Sequence, residues 1–295
     1  MIMRVDWILL LYNRPKHSRR VLESLASNQI DRIFVYIDYP QDSAAEFAQK
    51  ELLEILNNPW PFEIHLTQRQ ESFGLARSVC TSLNDAFADG ADAVVLLEDD
   101  CVLKDNGKHF FEAGLNHLRE DQEVRSLCGY TNPQCPFVFE PESDLLSLHR
   151  FSTWGWATWS DRWQDYNRDT TLGELLERTE TTAESITHFA PDLAVLCEDP
   201  DYLNGLIDIW SVPWSLLHFL TNTHAVFPIE SVIENIGLDG SGANCSETDA
   251  FNLNNEPFTE KSAYTWKRRN YIFQNEDLIR TFMESHGLKT FPSKS

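Results

Sequence analysis

AVVLLEDDCVL, residues 93–103, decides how the rest of the chain is read. Ala93 to Leu97 are all apolar, the composition of a strand buried in a core. Glu98, Asp99 and Asp100 follow without a break. Adjacent carboxylates repel and raise one another's pKa, so a strand that ends this way needs solvent or a cation at its end.

The segments upstream repeat one unit. Val5–Tyr12 reads as a strand, and Lys16–Ser27 has helical spacing with Val21, Leu22 and Leu25 on one face. Arg32–Asp38 reads as a strand. Ser43 is expected to cap a helix running to about Leu56, stopped by Asn58-Pro59. FEIHLTQ, residues 62–68, reads as a strand, and Gly74–Phe87 as a helix closed by Asp89-Gly90. Alternating strands and helices predict an α/β fold with a mostly parallel sheet and helices on both faces. Ligands of such sheets lie beyond the carboxyl ends of the strands, at the switch in strand order. Three polar clusters fall at those ends: Asn13-Arg14, Asp38, and Glu98-Asp99-Asp100.

The second half is less regular. Residues 131–150 hold several prolines and predict loops, while helical patterns recur around 172–189 and 203–221. AVFPIE, residues 225–230, reads as a strand before a Gly-rich loop, SVIENIGLDGSGANC. From Thr248 the chain is polar and reads as a tail that wraps the domain or is partly disordered. A chain of 295 residues is long enough for a substantial core. Its formal charge of −22 argues against a nucleic-acid or anionic-membrane binder. No apolar run approaches the roughly 20 residues that span a bilayer. The hydrophobic start is interrupted by Arg4 and Asp6 and reads as a core strand rather than a signal peptide. The six cysteines are scattered with no CxxC, and because the start does not read as an export signal, free thiols and a cytoplasmic location are expected.

Each chemical candidate has a plain structural alternative. Acids at a strand end hold hard cations such as Mg²⁺ or Mn²⁺, often shared with substrate phosphates; equally, they cap a helix or face water. Arg14 suits a phosphate clamp, or a surface ion pair. Asp38 suits a hydrogen bond from a base or ribose, or a turn before Tyr39-Pro40. No GxGxxG follows the first strand, and no GxxxxGK[ST] occurs, which disfavours dinucleotide and P-loop sites. FSTWGWATWSDRW, residues 151–163, carries Trp154, Trp156, Trp159 and Trp163, which suit sugar stacking or, for most of them, core packing. IDIWSVPW, residues 207–214, sets Asp208 beside Trp210 and Trp214, as a general base among aromatics or a helix N-terminal acid.

LLYNRP, YIDYPQD, FGLARSV, LLEDDCVL, WGWATWSDRW, IDIWSVPW and NIGLDGSGANC occur in this order between Val5 and Cys245. In these motifs the chain resembles GT-A glycosyltransferases, in particular the N-acetylglucosaminyltransferase I family and bacterial family-2-like sugar transferases. The resemblance implies a Rossmann-like nucleotide-binding sheet with an acceptor-binding half: residues 1–130 for the donor, 131–247 for the acceptor and catalysis, and 248–295 as a C-terminal extension. It implies a DxD-type motif in which Asp100 binds Mn²⁺ or Mg²⁺, with Glu98 and Asp99 contacting ribose or sugar. It implies that Arg14 contacts the donor diphosphate, Asp38 the uracil, and Arg77 another part of the donor. Asp208 matches the catalytic base, with Ser211 and Asp201 as competitors. Asn244 stands where relatives carry His. The implied activity is inverting transfer from a UDP-linked sugar to a glycan or glycolipid acceptor, with peripheral membrane contact through a partner or patch. A nucleotidyltransferase, or a catalytically inactive glycosyltransferase-like protein that binds sugar or a partner, remains as an alternative.

Overall fold

The computed structural model describes residues 3–132, 144–187, 190–241, 264, 266 and 271–273. Asn244 and most of the segment from Thr248 onward lie outside the described residues. The elements of the first half, in chain order, are β1 (Val5–Leu11), α1 (Pro15–Ser27), β2 (Arg32–Ile37), α2 (Ser43–Leu56), β3 (Glu63–Gln68), α3 (Gly74–Ala88), β4 (Ala93–Glu98), β5 (Cys101–Leu103), α4 (Gly107–His117) and β6 (Val124–Cys128). There follow β7 (Leu145–Leu148), β8 (Trp156–Trp159), α5 (Ser160–Trp163), α6 (Leu172–Arg178), α7 (Ala183–Thr187), α8 (Pro191–Leu196), α9 (Pro200–Leu203), α10 (Ser211–Leu220), β9 (His224–Pro228), β10 (Ile233–Asn235) and β11 (Tyr271–Phe273).

Among the described residues, nine strands form one mixed sheet in the order β11-β7-β9-β6-β8-β4-β1-β2-β3. The block β4-β1-β2-β3 is parallel throughout, as the repeated strand–helix pattern predicts. β8 then enters antiparallel between β4 and β6, so the sheet runs unbroken across residue 130. A separate ribbon pairs β10 with β5 antiparallel. The architecture is α/β. No helix among the described residues is long and apolar enough to cross a membrane.

Strand alternation divides the core. Ile8 and Leu10 face one layer, with Val79 and Leu83 of α3, while Trp7, Leu9 and Leu11 face the other, with Val21, Leu22 and Leu25 of α1. The first layer also gathers the aromatics of the second half. Trp156, Trp163, Trp210 and Trp214 are buried there with Phe151, and Trp156 stacks on Trp210 with centroids 5.2 Å apart. Trp159 is buried on the opposite face. Of the tryptophans at 154–163 and 210–214, only Trp154 is half-buried, edge-on to Tyr130 at 4.6 Å. Packing, more than a stacking surface, accounts for the rest.

Three local expectations are corrected. Asp42, not Ser43, caps α2: its carboxylate accepts the Ala45 backbone N–H at 2.7 Å, and Ser43 is already helical. Residues 131–150 are not all loop, because Leu145–Leu148 pairs with β9 as β7. The Gly-rich segment begins as a strand, since Ile233–Asn235 finds a partner in β5. The polar tail, expected to wrap the domain or to be partly disordered, lays β11 parallel to β7, in line with wrapping. Each of these short strands is held by a distant partner rather than by its own periodicity.

Candidate active site at the carboxyl edge of the sheet

β1 ends at Leu11 and α1 begins at Pro15, whose missing N–H falls where a helix has no acceptor to offer. Arg14, the residue before it, therefore stands at the sheet's carboxyl edge as the N-cap of α1. The adjacent parallel strand β4 ends in the acids. Arg14 meets both aspartates. Its Nη2 and Nε donate to the two carboxylate oxygens of Asp99, Nε at 3.2 Å, and Nη2 also donates to Asp100 Oδ2 at 2.7 Å. Side chains of Arg14, Asp99 and Asp100 are only 15, 7 and 15 % exposed. Nη1 of Arg14 is buried and has no hydrogen-bond partner among the described residues.

The β5–β10 ribbon folds a loop onto this group. The Ile236 N–H donates to the Asp100 carbonyl at 2.9 Å. A Cβ on Gly237 would lie 2.1 Å from Asp100 Oδ2 and 2.8 Å from Arg14 Nη1, so only glycine lets the backbone come this close. From α1, His17 Nε2 lies 3.2 Å from the Ile236 carbonyl and 3.1 Å from Asp239. Neither Gly237 nor His17 stands out as a site residue in the sequence. The available signals were the Gly-rich run itself and the i,i+3 spacing of Arg14 and His17 at the start of a helix.

The acids carry more negative charge than Arg14 offsets. Burial, then the charges of Asp100 and Asp99, push the Glu98 carboxyl up to about 8. Burial also raises Asp99, against the opposing hydrogen bond and charge of Arg14. Asp38 is placed differently. Its carboxylate accepts the backbone N–H groups of Phe73 and Gly74, each at 2.8 Å, and of Tyr39 at 2.9 Å, and so completes the N-terminus of α3 from another strand end.

A cleft of about 440 Å³ runs between these elements, lined by Tyr12, Asn13, Arg14, Asp38, Glu98 and Asp99 among others. Arg14, Asp38, Glu98 and Asp99 thus share one cavity, and Asp100 joins them through Arg14. Arg77 does not line it; the guanidinium lies 3.6 Å over the Phe73 ring and pairs with Glu71 at 3.0 Å. Asp208 does not line it either, and is half-exposed in an ion pair with Arg168.

Among the described residues no three or more His, Cys, Asp or Glu side chains converge as a metal cage. The donor set fits a cation of another kind. Mg²⁺ and similar ions are commonly held by one or two carboxylates, with substrate phosphates and water completing the shell. Among the described residues, Asp100 Oδ1 has only the Cys101 thiol at 3.5 Å as a hydrogen-bond partner, which leaves a hard oxygen for such an ion.

No family model matches the chain, and no curated protein matches it. Solved structures do align. A Pyrobaculum calidifontis mannosyltransferase in complex with GDP-Man and Mn²⁺ aligns at 17% identity over 64% of this chain and 51% of that one, with a TM-score of 0.38. S. aureus TarS 1-349 aligns at 15% over 55% and 49%, also with a TM-score of 0.38. A mannose-1-phosphate geranyltransferase from Thermus thermophilus aligns at 13% over 76% and 74%, with a TM-score of 0.36. The match spans about half the length of the first two. At such scores the likeness is distant and gives no residue of this chain a role.

Proposed function

We propose that this protein is a glycosyltransferase that moves a sugar from a nucleotide sugar, UDP-linked, to a hydroxyl of a glycan or glycolipid acceptor with inversion. The observation that carries this reading is the meeting of Arg14 with Asp99 and Asp100 at the carboxyl edge of parallel strands, beside a cleft of about 440 Å³. Residues 1–130 serve the donor, 131–247 the acceptor, and 248–295 extend the domain.

Arg14 binds the donor diphosphate through its planar fork. Asp38, with three backbone N–H groups already on its two oxygens, keeps about one acceptor position for the N–H of the donor base. Glu98 and Asp99 contact ribose or sugar; Arg77, at the start of α3, reaches the donor only by leaving Glu71 and the Phe73 ring, which hold it outside the cleft lining in the unliganded chain. Asp100 would hold Mn²⁺ or Mg²⁺, which when bound supplies positive charge against the leaving diphosphate. Asp208 takes the proton of the acceptor hydroxyl as its oxygen attacks the anomeric carbon opposite the leaving group. In the unliganded chain that carboxylate is paired with Arg168 outside the cleft lining, so this role requires it to leave the pair.

A thermal-shift panel of UDP, GDP, CDP and dTDP, each with and without Mn²⁺, tests the donor site. A ligand at about 100 times its dissociation constant stabilises by about 2.7 kcal/mol if only the folded state binds it. Stabilisation by one nucleotide that needs Mn²⁺ is expected, and no stabilisation by any of the four removes the donor site. Asp100→Ala should lose the Mn²⁺-dependent part; an undiminished shift takes the cation away from Asp100. Asp208→Asn should keep the shift while turnover falls about 10²–10⁴-fold, the usual contribution of a positioned base. Full turnover in that variant assigns the base to another residue.

A further inference from the structure

We infer that Arg14 acts as a built-in counter-cation to Asp99 and Asp100 that opposes binding of the divalent ion at Asp100, so that the ion binds well only once a nucleotide diphosphate draws on Arg14. This inference rests on the donor-site reading above and goes beyond it, because it makes nucleotide and metal binding conditional on each other.

The geometry supplies the argument. Arg14 engages both oxygens of Asp99 and one oxygen of Asp100, leaving Asp100 Oδ1 outside its reach. Gly237 packs closely against Asp100 Oδ2 and Arg14 Nη1, so the guanidinium has little room to move away from the acids. An ion placed on Asp100 would therefore stand close to a fixed like charge, in a buried setting where repulsion is poorly screened. A diphosphate changes the balance. Its oxygens offer negative charge to the guanidinium and the ion together, and the unpartnered Nη1 has a hydrogen bond to donate. Repulsion between the two cations becomes shared attraction to one anion. By linkage, whatever factor the diphosphate adds to ion affinity, the ion adds to diphosphate affinity.

In the unliganded protein the same contact has a structural role. Asp99 is 5 % exposed, and without a cation its charge would be buried unpaired. Arg14 thus keeps the acids assembled before substrate arrives.

The test is Mn²⁺ titration of the metal-free full chain, read by the loss of the free Mn²⁺ electron paramagnetic resonance signal. Wild type, Arg14→Gln and Arg14→Lys are compared without and with UDP, after circular dichroism shows each is folded. Without nucleotide, Arg14→Gln should bind Mn²⁺ at least tenfold more tightly than wild type. Arg14→Lys, which keeps a positive charge, should stay within about threefold of wild type. UDP should tighten Mn²⁺ binding to wild type markedly and to Arg14→Gln far less. Equal or weaker Mn²⁺ binding by Arg14→Gln overturns the inference, as does Arg14→Lys behaving like Arg14→Gln. If UDP changes nothing in wild type, the donor-site reading fails, and the nucleotide-free titrations still decide whether Arg14 opposes the ion.

Discussion

Trp214→Ala is expected to destabilise the fold by about 3–5 kcal/mol, the range for removing a large aromatic from a core. Trp214 is fully buried on α10, with Trp163 at 5.0 Å and Trp156 at 6.2 Å between centroids. Its indole N–H donates to Ser126 Oγ at 3.2 Å, and the buried guanidinium of Arg125 lies 5.4 Å from its ring. Truncation leaves a cavity ringed by rigid aromatics that collapse poorly, removes a hydrogen bond and strips packing from a buried charge. The effect should sit at the upper end of the range. Denaturant unfolding of the two proteins measures it, and a loss below about 1 kcal/mol would mean that the aromatic cluster closes over the gap.

Gly237→Ala is expected to weaken Mn²⁺-dependent nucleotide binding by tenfold or more, about 1.4 kcal/mol. The added methyl would stand 2.1 Å from Asp100 Oδ2, far inside van der Waals contact. Asp100 cannot simply rotate away, because that oxygen holds Arg14 at 2.7 Å and the Asp100 carbonyl holds the loop through Ile236. Either the loop lifts or the acid–guanidinium group comes apart, and both disturb the place where a cation and a diphosphate would meet. Calorimetric titration with UDP and Mn²⁺ reads the change. Wild-type affinity in the variant would show that the loop yields without weakening binding and lies outside the site.

The first half of the fold was legible because its strands and helices carry their own signals. Val5–Leu11 and Ala93–Glu98 are apolar runs, and α1 and α3 show helical spacing bounded by Pro15 and Gly90. The short strands were not legible. β7, β10 and β11 have three or four residues each, too few for a period to stand out, and they exist because β9, β5 and β7 are there to pair with them. The α2 cap lies one residue before the expected Ser43, because Asp42 and Ser43 are both good caps and local sequence does not say which begins the helix. At the site, the sequence marked Arg14 and the acid run as ends of separate strands. It did not show that residues 85 positions apart bond to each other in the unliganded chain. In the sequence Asp38 suits a ligand contact or a turn, yet it commits most of its acceptor capacity to backbone N–H groups, among them those at the start of a helix 35 residues away. Pairing of that kind is set by strand order, which periodicity does not encode.

The antiparallel insertion of β8 has a consequence for biosynthesis. β4 emerges from the ribosome with β1 to pair on one side, but its other edge waits for Trp156–Trp159. At ordinary synthesis rates of about 5–20 residues per second, that delay lasts on the order of several seconds. During it, an uncapped AVVLL edge is the kind of segment that recruits another nascent chain. Glu98, Asp99 and Asp100 close the end of that strand with charge, as gatekeeper residues do beside unavoidable hydrophobic stretches. The acid run would then protect the growing polypeptide from aggregation before it ever meets a ligand.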